Sequence, residues 1–64
     1  MANIYLVKGI VPMFDTRTTV FVTDHDEADE IADTLNRSHI TTYVYEDLED
    51  LVSLINSLMD EGEI

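Results

Sequence analysis

The sequence predicts one α+β domain over residues 1–64, built as a two-layer sandwich of a three-stranded sheet and two helices. Three segments rich in β-branched and aromatic residues indicate strands. Two other segments repeat apolar residues at helical spacing, and Pro, Asn, Ser and charged residues separate the five segments. The predicted element order is ββαβα.

The first two segments predict a β-hairpin. Residues 3–11 are almost continuously apolar, which is typical of a central strand, and Pro12 ends the run. Residues 18–23 alternate Thr with apolar side chains and predict the second strand. The six residues 12–17 between them are expected to form the hairpin loop.

The next segment predicts a helix with one narrow apolar face. Asp24 is a favourable N-cap residue, and Glu27 follows it at the spacing of a capping box. Apolar side chains then recur at i, i+3, i+4 and i+7. They are Ala28, Ile31, Ala32 and Leu35. Residues 36–38 interrupt this pattern and are expected to end the helix.

The last two segments predict a strand and a second helix. Residues 39–45 alternate in period two, as a half-buried strand does. Glu46 and Asp47 open the second helix, which carries a wide apolar stripe and ends near Gly62.

The element order also predicts how the strands are arranged. The connection from the second strand through a helix to the third is expected to be a right-handed crossover, so these two strands run parallel. The first strand is antiparallel to both and fits between them, which gives a three-stranded mixed sheet of order 2-1-3. Both helices are then expected on one face of the sheet.

Charge is distributed unevenly along the chain. Fourteen Asp and Glu residues against three Lys and Arg residues give a formal net charge of −11. Residues 1–23 contain Lys8, Arg17 and a single acid, whereas residues 24–64 contain all other acids and one base, Arg37. Because the bases do not cluster along the sequence, direct binding to nucleic acid or to a membrane is not expected. A basic nucleic-acid-binding protein is the expected partner.

The densest group of acids lies on the first predicted helix, opposite its apolar face. It consists of Asp26, Asp29, Glu30 and Asp33. These carboxylates span about 10 Å of helix axis, a charge density similar to that of a DNA strand with one phosphate per roughly 3.4 Å. A second group opens the second helix. It consists of Glu46, Glu49 and Asp50. We interpret both groups as partner-binding; the alternative is a solvated acidic surface.

Apolar side chains supply further candidate contacts for a dimer or a partner. With both helices on one face, aromatic residues are expected on the uncovered face, as in an interface. They are Tyr5, Phe21, Tyr43 and Tyr45. Leu54 and Leu58 lie at the edge of the wide stripe of the second helix, and Met13 and Phe14 lie in the hairpin loop as a candidate anchor. The alternatives are that the aromatic residues belong to the core and that Phe14 folds back over the sheet edge.

Catalytic and cofactor-binding motifs are not found. The chain has no cysteine and only two glycines, which excludes disulfides, thiolate catalysis and a glycine-rich phosphate loop. His25 lies beside Asp24 and Asp26, but no second histidine stands at a metal-ligand spacing. We therefore expect no enzyme activity, no metal and no cofactor. Since no apolar run approaches about 18 residues, a soluble cytoplasmic protein is expected.

The chain resembles, in general character, the small acidic proteins with which bacteriophages inhibit host nucleic-acid enzymes. It shares their size, a dense acidic segment (DHDEADEIAD, residues 24–33), a second acidic cluster at residues 46–50 and an apolar pair at residues 13–14. Uracil-DNA glycosylase inhibitors, anti-restriction proteins and anti-CRISPR proteins belong to this class.

This resemblance implies a non-enzymatic inhibitor that acts in the host cytoplasm. Its carboxylates would mimic nucleic acid in the basic groove of a DNA- or RNA-processing or defence enzyme, with binding that is fast and sensitive to salt. The alternative is a homodimeric structural or assembly module whose acids serve solubility and whose melting temperature depends on concentration.

Overall fold

The computed structural model describes all 64 residues and contains the five elements in the predicted ββαβα order. The elements are β1 (Ala2–Val11), β2 (Thr16–Val22), α1 (His25–Thr34), β3 (Asn36–Tyr45) and α2 (Leu48–Asp60). The α+β class is confirmed. The hairpin loop between β1 and β2 has four residues, 12–15, instead of six, and β3 begins directly after α1, within the segment expected to separate them.

β1 occupies the centre of the sheet, in the predicted order β2-β1-β3. Both neighbouring strands run antiparallel to it. The two edge strands are therefore parallel to each other, as the crossover predicts. The expectation of a mixed sheet is wrong, however, because β1 separates the edge strands and both hydrogen-bonded pairs are antiparallel. Residues 4–7 of β1 are all buried, and since successive side chains point to opposite faces, both faces of the central strand are covered.

α1 covers the face of the sheet to which Tyr5 and Val7 point. These two residues form a buried cluster with Ala28 of α1, and Val7 and Ala28 have no exposed surface. Half-buried apolar residues from α1 and from both edge strands pack around the cluster. They are Val22, Ile31, Ala32, Leu35 and Ile40. The predicted narrow apolar face of the first helix is thus the face that packs on the sheet.

α2 covers the opposite face, to which Ile4, Leu6 and Lys8 point. Ile4 and Leu6 are buried, and Leu58 of α2 is 3% exposed. Glu63, just beyond α2, forms an ion pair with the Lys8 ammonium group. The expectation that both helices share one face of a two-layer sandwich is therefore wrong, and the sheet lies between two helices.

The overall dimensions agree with this three-layer arrangement. No Cα atom of α1 lies within 8 Å of α2, as expected for helices separated by a sheet. The molecule measures 37 × 26 × 12 Å. The shortest dimension, 12 Å, fits a sheet of three strands spaced about 4.8 Å apart. The intermediate dimension, 26 Å, fits three layers whose mid-planes are about 10 Å apart. A central strand that is apolar on both faces requires this arrangement, because one layer of helices would leave half of its side chains in water.

The ends of the helices use different stabilising contacts. Asp24 occupies the N-cap position of α1, but its side chain makes no capping hydrogen bond. At α2 the Asp47 carboxylate accepts a hydrogen bond from the Asp50 backbone N–H at 2.8 Å. Gly62 adopts φ +80° after α2, and the backbone N–H groups of Gly62 and Glu63 donate to carbonyl groups of the last turn. These two bonds form a Schellman motif, in which a left-handed residue is needed.

The folded chain exposes a large surface for its size. Its accessible area is 4673 Å², compared with about 4,200 Å² expected for a folded protein of this mass. Only six residues are buried. Neither helix has the length and apolar character required to cross a bilayer.

Candidate functional site

The outer side of α1 carries four carboxylates, here called the acidic face: Asp26, Asp29, Glu30 and Asp33. All four side chains are exposed, because α1 packs on the sheet through its opposite side. Their one contact with a possible counter-ion is the distance of 3.3 Å between His25 Nδ1 and Asp29 Oδ2. No Lys or Arg side chain neutralises the acidic face. The structure thus presents this predicted group to solvent with almost its full charge.

The second predicted group lies at the start of α2 and is partly engaged in local structure. Glu46, Glu49 and Asp50 are all exposed. However, Asp50 Oδ2 accepts a hydrogen bond from the Glu46 backbone N–H at 2.9 Å, and the Asp50 backbone binds the Asp47 carboxylate. Asp50 therefore stabilises the first turn of α2, whereas the carboxylates of Glu46 and Glu49 remain free for a partner.

The sheet places the two acidic groups at the same end of the molecule. Val22, which precedes α1, pairs with Tyr5, and Tyr45, which precedes α2, pairs with Ala2. Both helices therefore begin near the first residues of β1. Because they lie on opposite faces, the two groups flank this end of the sheet instead of forming one continuous surface.

The hairpin tip between β1 and β2 exposes Met13 and Phe14. Their side chains are 99% and 76% exposed, so Phe14 does not fold back over the sheet edge. Met13 and Asp15 both have positive φ angles, 73° and 55°, an uncommon conformation for residues with a side chain. The Asp15 backbone N–H donates to the Val11 carbonyl at 3.0 Å and closes the turn. The tip lies about 30 Å from the helix starts along the ten-residue strand β1.

The aromatic residues do not form the uncovered face that the sequence suggested. Tyr5 is buried beneath α1. Phe21, Tyr43 and Tyr45 lie on the other face, opposite even-numbered residues of β1, and are half-buried on the side of α2. The expectation is wrong because opposed residues of an antiparallel pair share a face, which couples odd positions of β1 to even positions of β2 and β3. That face is also covered by a helix.

The exposed apolar residues of α2 differ from the expected pair. Leu58 belongs to the core and Leu54 is half-buried. The exposed members of the helix are Leu48, Val52 and Met59. With the half-buried Ile55 they follow a spacing of four, three and four residues, and a shallow groove lies beside Leu48 and Val52. The expectation that the Leu54 and Leu58 edge of the stripe faces a dimer or a partner is therefore wrong for Leu58, and the structure exposes the opposite edge of the stripe.

The three basic residues of the chain meet in one cleft, although they are scattered along the sequence. Lys8, Arg17 and Arg37 all line a cavity of about 420 Å³ at the hairpin end of the sheet, next to Gly62 and Glu63. We call it the cationic cleft. The sequence expectation that the bases do not cluster holds along the chain but is wrong in space. Strand pairing, which sequence spacing does not reveal, brings them together.

One group of histidine and acidic residues places its potential metal-ligand atoms close together. Ligand atoms of His25, Asp26 and Asp29 lie within 4.8 Å of one another, and all three residues are exposed. The His25 ring also packs edge-on against Tyr5, with ring centroids 5.5 Å apart. Three exposed side chains would hold a divalent ion weakly, since such ions take six or more ligands and water would have to supply the rest.

Comparison with protein-family models, with curated proteins and with solved structures finds no match to this chain.

Proposed function

We propose that the protein is a non-enzymatic inhibitor that mimics nucleic acid and blocks the basic groove of a DNA- or RNA-processing or defence enzyme, as phage counter-defence proteins do. The observation that carries the proposal is the acidic face: four exposed carboxylates on successive turns of one helix, with no Lys or Arg partner. Placed in a basic groove, they would occupy positions that phosphates normally hold.

The energetic cost of the acidic face supports a role in binding. Asp26, Asp29, Glu30 and Asp33 are neighbours at i, i+3 and i+4, and each like-charge pair destabilises a helix by about 0.2–0.5 kcal/mol. A chain with only six buried residues has little stability to spare. A partner rich in Lys and Arg would convert this repulsion into attraction.

The hairpin tip supplies an apolar contact for the same interface. Phe14 projects into solvent on a turn with two positive φ angles, and strained backbone of this kind is common at binding sites. α1 runs towards the hairpin end, because Leu35 lies against Gly9. One partner of ordinary size can therefore contact both the acidic face and Phe14.

The proposal is tested by capture on the immobilised protein, followed by charge-neutralising variants. A captured bacterial nucleic-acid enzyme should be released by roughly 0.5 M salt, where the Debye length is about 4 Å, and displaced by duplex DNA. The triple variant Asp29→Asn, Glu30→Gln, Asp33→Asn should bind it about tenfold or more weakly while remaining folded.

A matched control makes the same change in net charge at residues that lie away from the acidic face. The double variant Asp60→Lys, Glu61→Gln changes the net charge by the same three units at exposed positions at the end of α2 and should lower affinity by less than about threefold. Equal losses in both variants would mean that only total charge matters. Unchanged affinity in the first variant would eliminate the mimic mechanism.

A second candidate function is homodimeric assembly, which the exposed apolar side of α2 favours. Leu48, Val52 and Met59 are each more than half exposed, and their spacing resembles that of a coiled-coil seam. A dimer through this side would have a melting temperature that rises with protein concentration and falls on Val52→Lys substitution. The acids would then serve solubility alone.

A further inference from the structure

We propose that the cationic cleft binds a small oxyanion of the phosphate class, a site independent of the acidic face. In a protein with fourteen acids, all three bases converge on this one cavity. Its volume, about 420 Å³, lies in the range of small-ligand sites. It is too small to admit a helix, whose diameter with side chains is about 10–12 Å.

The two arginines of the cleft are available for a ligand. Neither Arg17 nor Arg37 forms an ion pair, although acids outnumber bases by more than four to one. Guanidinium groups bind tetrahedral oxyanions through paired N–H donors, so two unpaired arginines at one cavity match phosphate chemistry. Thr19 also lines the cleft, and its hydroxyl makes no hydrogen bond within the protein.

The backbone at Arg37 has an uncommon conformation for a residue with a side chain, with a φ angle of +52°. It lies where the register between β1 and β3 shifts, so that Arg37 and Ser38 together face Gly9. Such a bulge redirects a side chain and is common beside functional sites. Arg17 reaches the same cavity from β2, where it pairs with Ile10.

The ion pair between Lys8 and Glu63 regulates access to the third base. Gly62 turns the chain after α2, and Glu63 then lies against the Lys8 ammonium group inside the cleft. An entering oxyanion competes with the Glu63 carboxylate for Lys8 and is repelled by it. Removing the Glu63 charge should therefore strengthen oxyanion binding, whereas removing an arginine should weaken it.

The test is a titration followed by amide NMR, with inorganic phosphate and adenosine 5′-monophosphate as probes and NaCl at matched ionic strength as reference. Saturable shifts at Gly9, Thr19 and Gly62 with either probe support the site. Tighter binding of the nucleotide by about tenfold identifies a phosphomonoester as the ligand, and equal binding identifies free phosphate. Shifts no larger than those with NaCl overturn the proposal.

Four variants make the test specific to the cleft. Arg17→Gln and Arg37→Gln should each weaken phosphate binding about fivefold or more, and Glu63→Gln should strengthen it about threefold. Asn3→Asp changes net charge as the arginine variants do, from the other end of β1, and should alter affinity less than about twofold. The proposal is overturned if Asn3→Asp and Arg17→Gln change phosphate affinity equally. It is also overturned if the NMR shifts come from salt-dependent self-association of the protein instead of phosphate binding.

Discussion

Gly9 is the residue on which the packing of the hairpin end depends most closely. A Cβ atom at this position would lie 2.7 Å from Leu35 Cβ and 3.3 Å from the Asn36 carbonyl oxygen. Both contacts come from the segment that joins α1 to β3. The absence of a side chain at Gly9 thus lets the crossover approach the central strand and places the bulge that carries Arg37.

We predict that Gly9→Ala lowers the free energy of unfolding by about 1–3 kcal/mol, because neither the backbone of Asn36 nor Leu35 Cβ can move aside freely. Urea denaturation followed by circular dichroism measures the change. Gly62→Ala is the comparison: it meets no atom within 4 Å but has φ +80°, so it should cost about 1–2 kcal/mol through backbone strain alone. A loss below about 0.5 kcal/mol for Gly9→Ala would contradict the packing described.

At the scale of the element, the two helices resemble each other in sequence at their starts but not in structure. Each has an Asp at the N-cap and acids in its first turn. Only Asp47 accepts a backbone hydrogen bond, from Asp50. The pattern of residue types predicts the position of a helix start, whereas the side-chain rotamer decides whether the cap is made.

We predict that Asp47→Ala destabilises the protein by about 1 kcal/mol and that Asp24→Ala has a much smaller effect, since only the first removes a capping bond. Thermal or urea unfolding measures both. Asp47→Asn retains a capping oxygen and removes the charge, so its free energy of unfolding should remain close to that of the original protein. If Asp24→Ala lowers the free energy of unfolding as much as Asp47→Ala does, the capping hydrogen bond of Asp47 does not distinguish the two helix starts.

The whole molecule combines a high net charge with few internal ion pairs. Against a formal net charge of −11, the structure contains one Lys–Glu pair and one His–Asp contact. Ten of the fourteen acids flank the end where the helices begin or lie along α1, while the three bases gather towards the hairpin. Repulsion among the acids opposes folding in dilute buffer and weakens as salt screens it.

We predict that raising NaCl from about 0.05 to 0.5 M increases the melting temperature by about 4–8 °C, which corresponds to roughly 1 kcal/mol in a domain of this size. Calorimetry or circular dichroism measures it. The triple variant at Asp29, Glu30 and Asp33 should melt higher than the original protein in low salt and respond less to NaCl. A melting temperature that falls with salt would show that attraction, not repulsion, dominates.

The element order, the central place of β1 and the exposure of the acids on α1 follow from the sequence, because they depend on local periodicity and on the preference of charge for water. Which side chains of β1 face which helix does not follow from the sequence, because β1 is apolar on both sides and either face can accept either helix. Nor does the meeting of Lys8, Arg17 and Arg37, which lie far apart in the chain. Strand register, a bulge in β3 and the left-handed turn at Gly62 bring them together, and only the tertiary structure decides these.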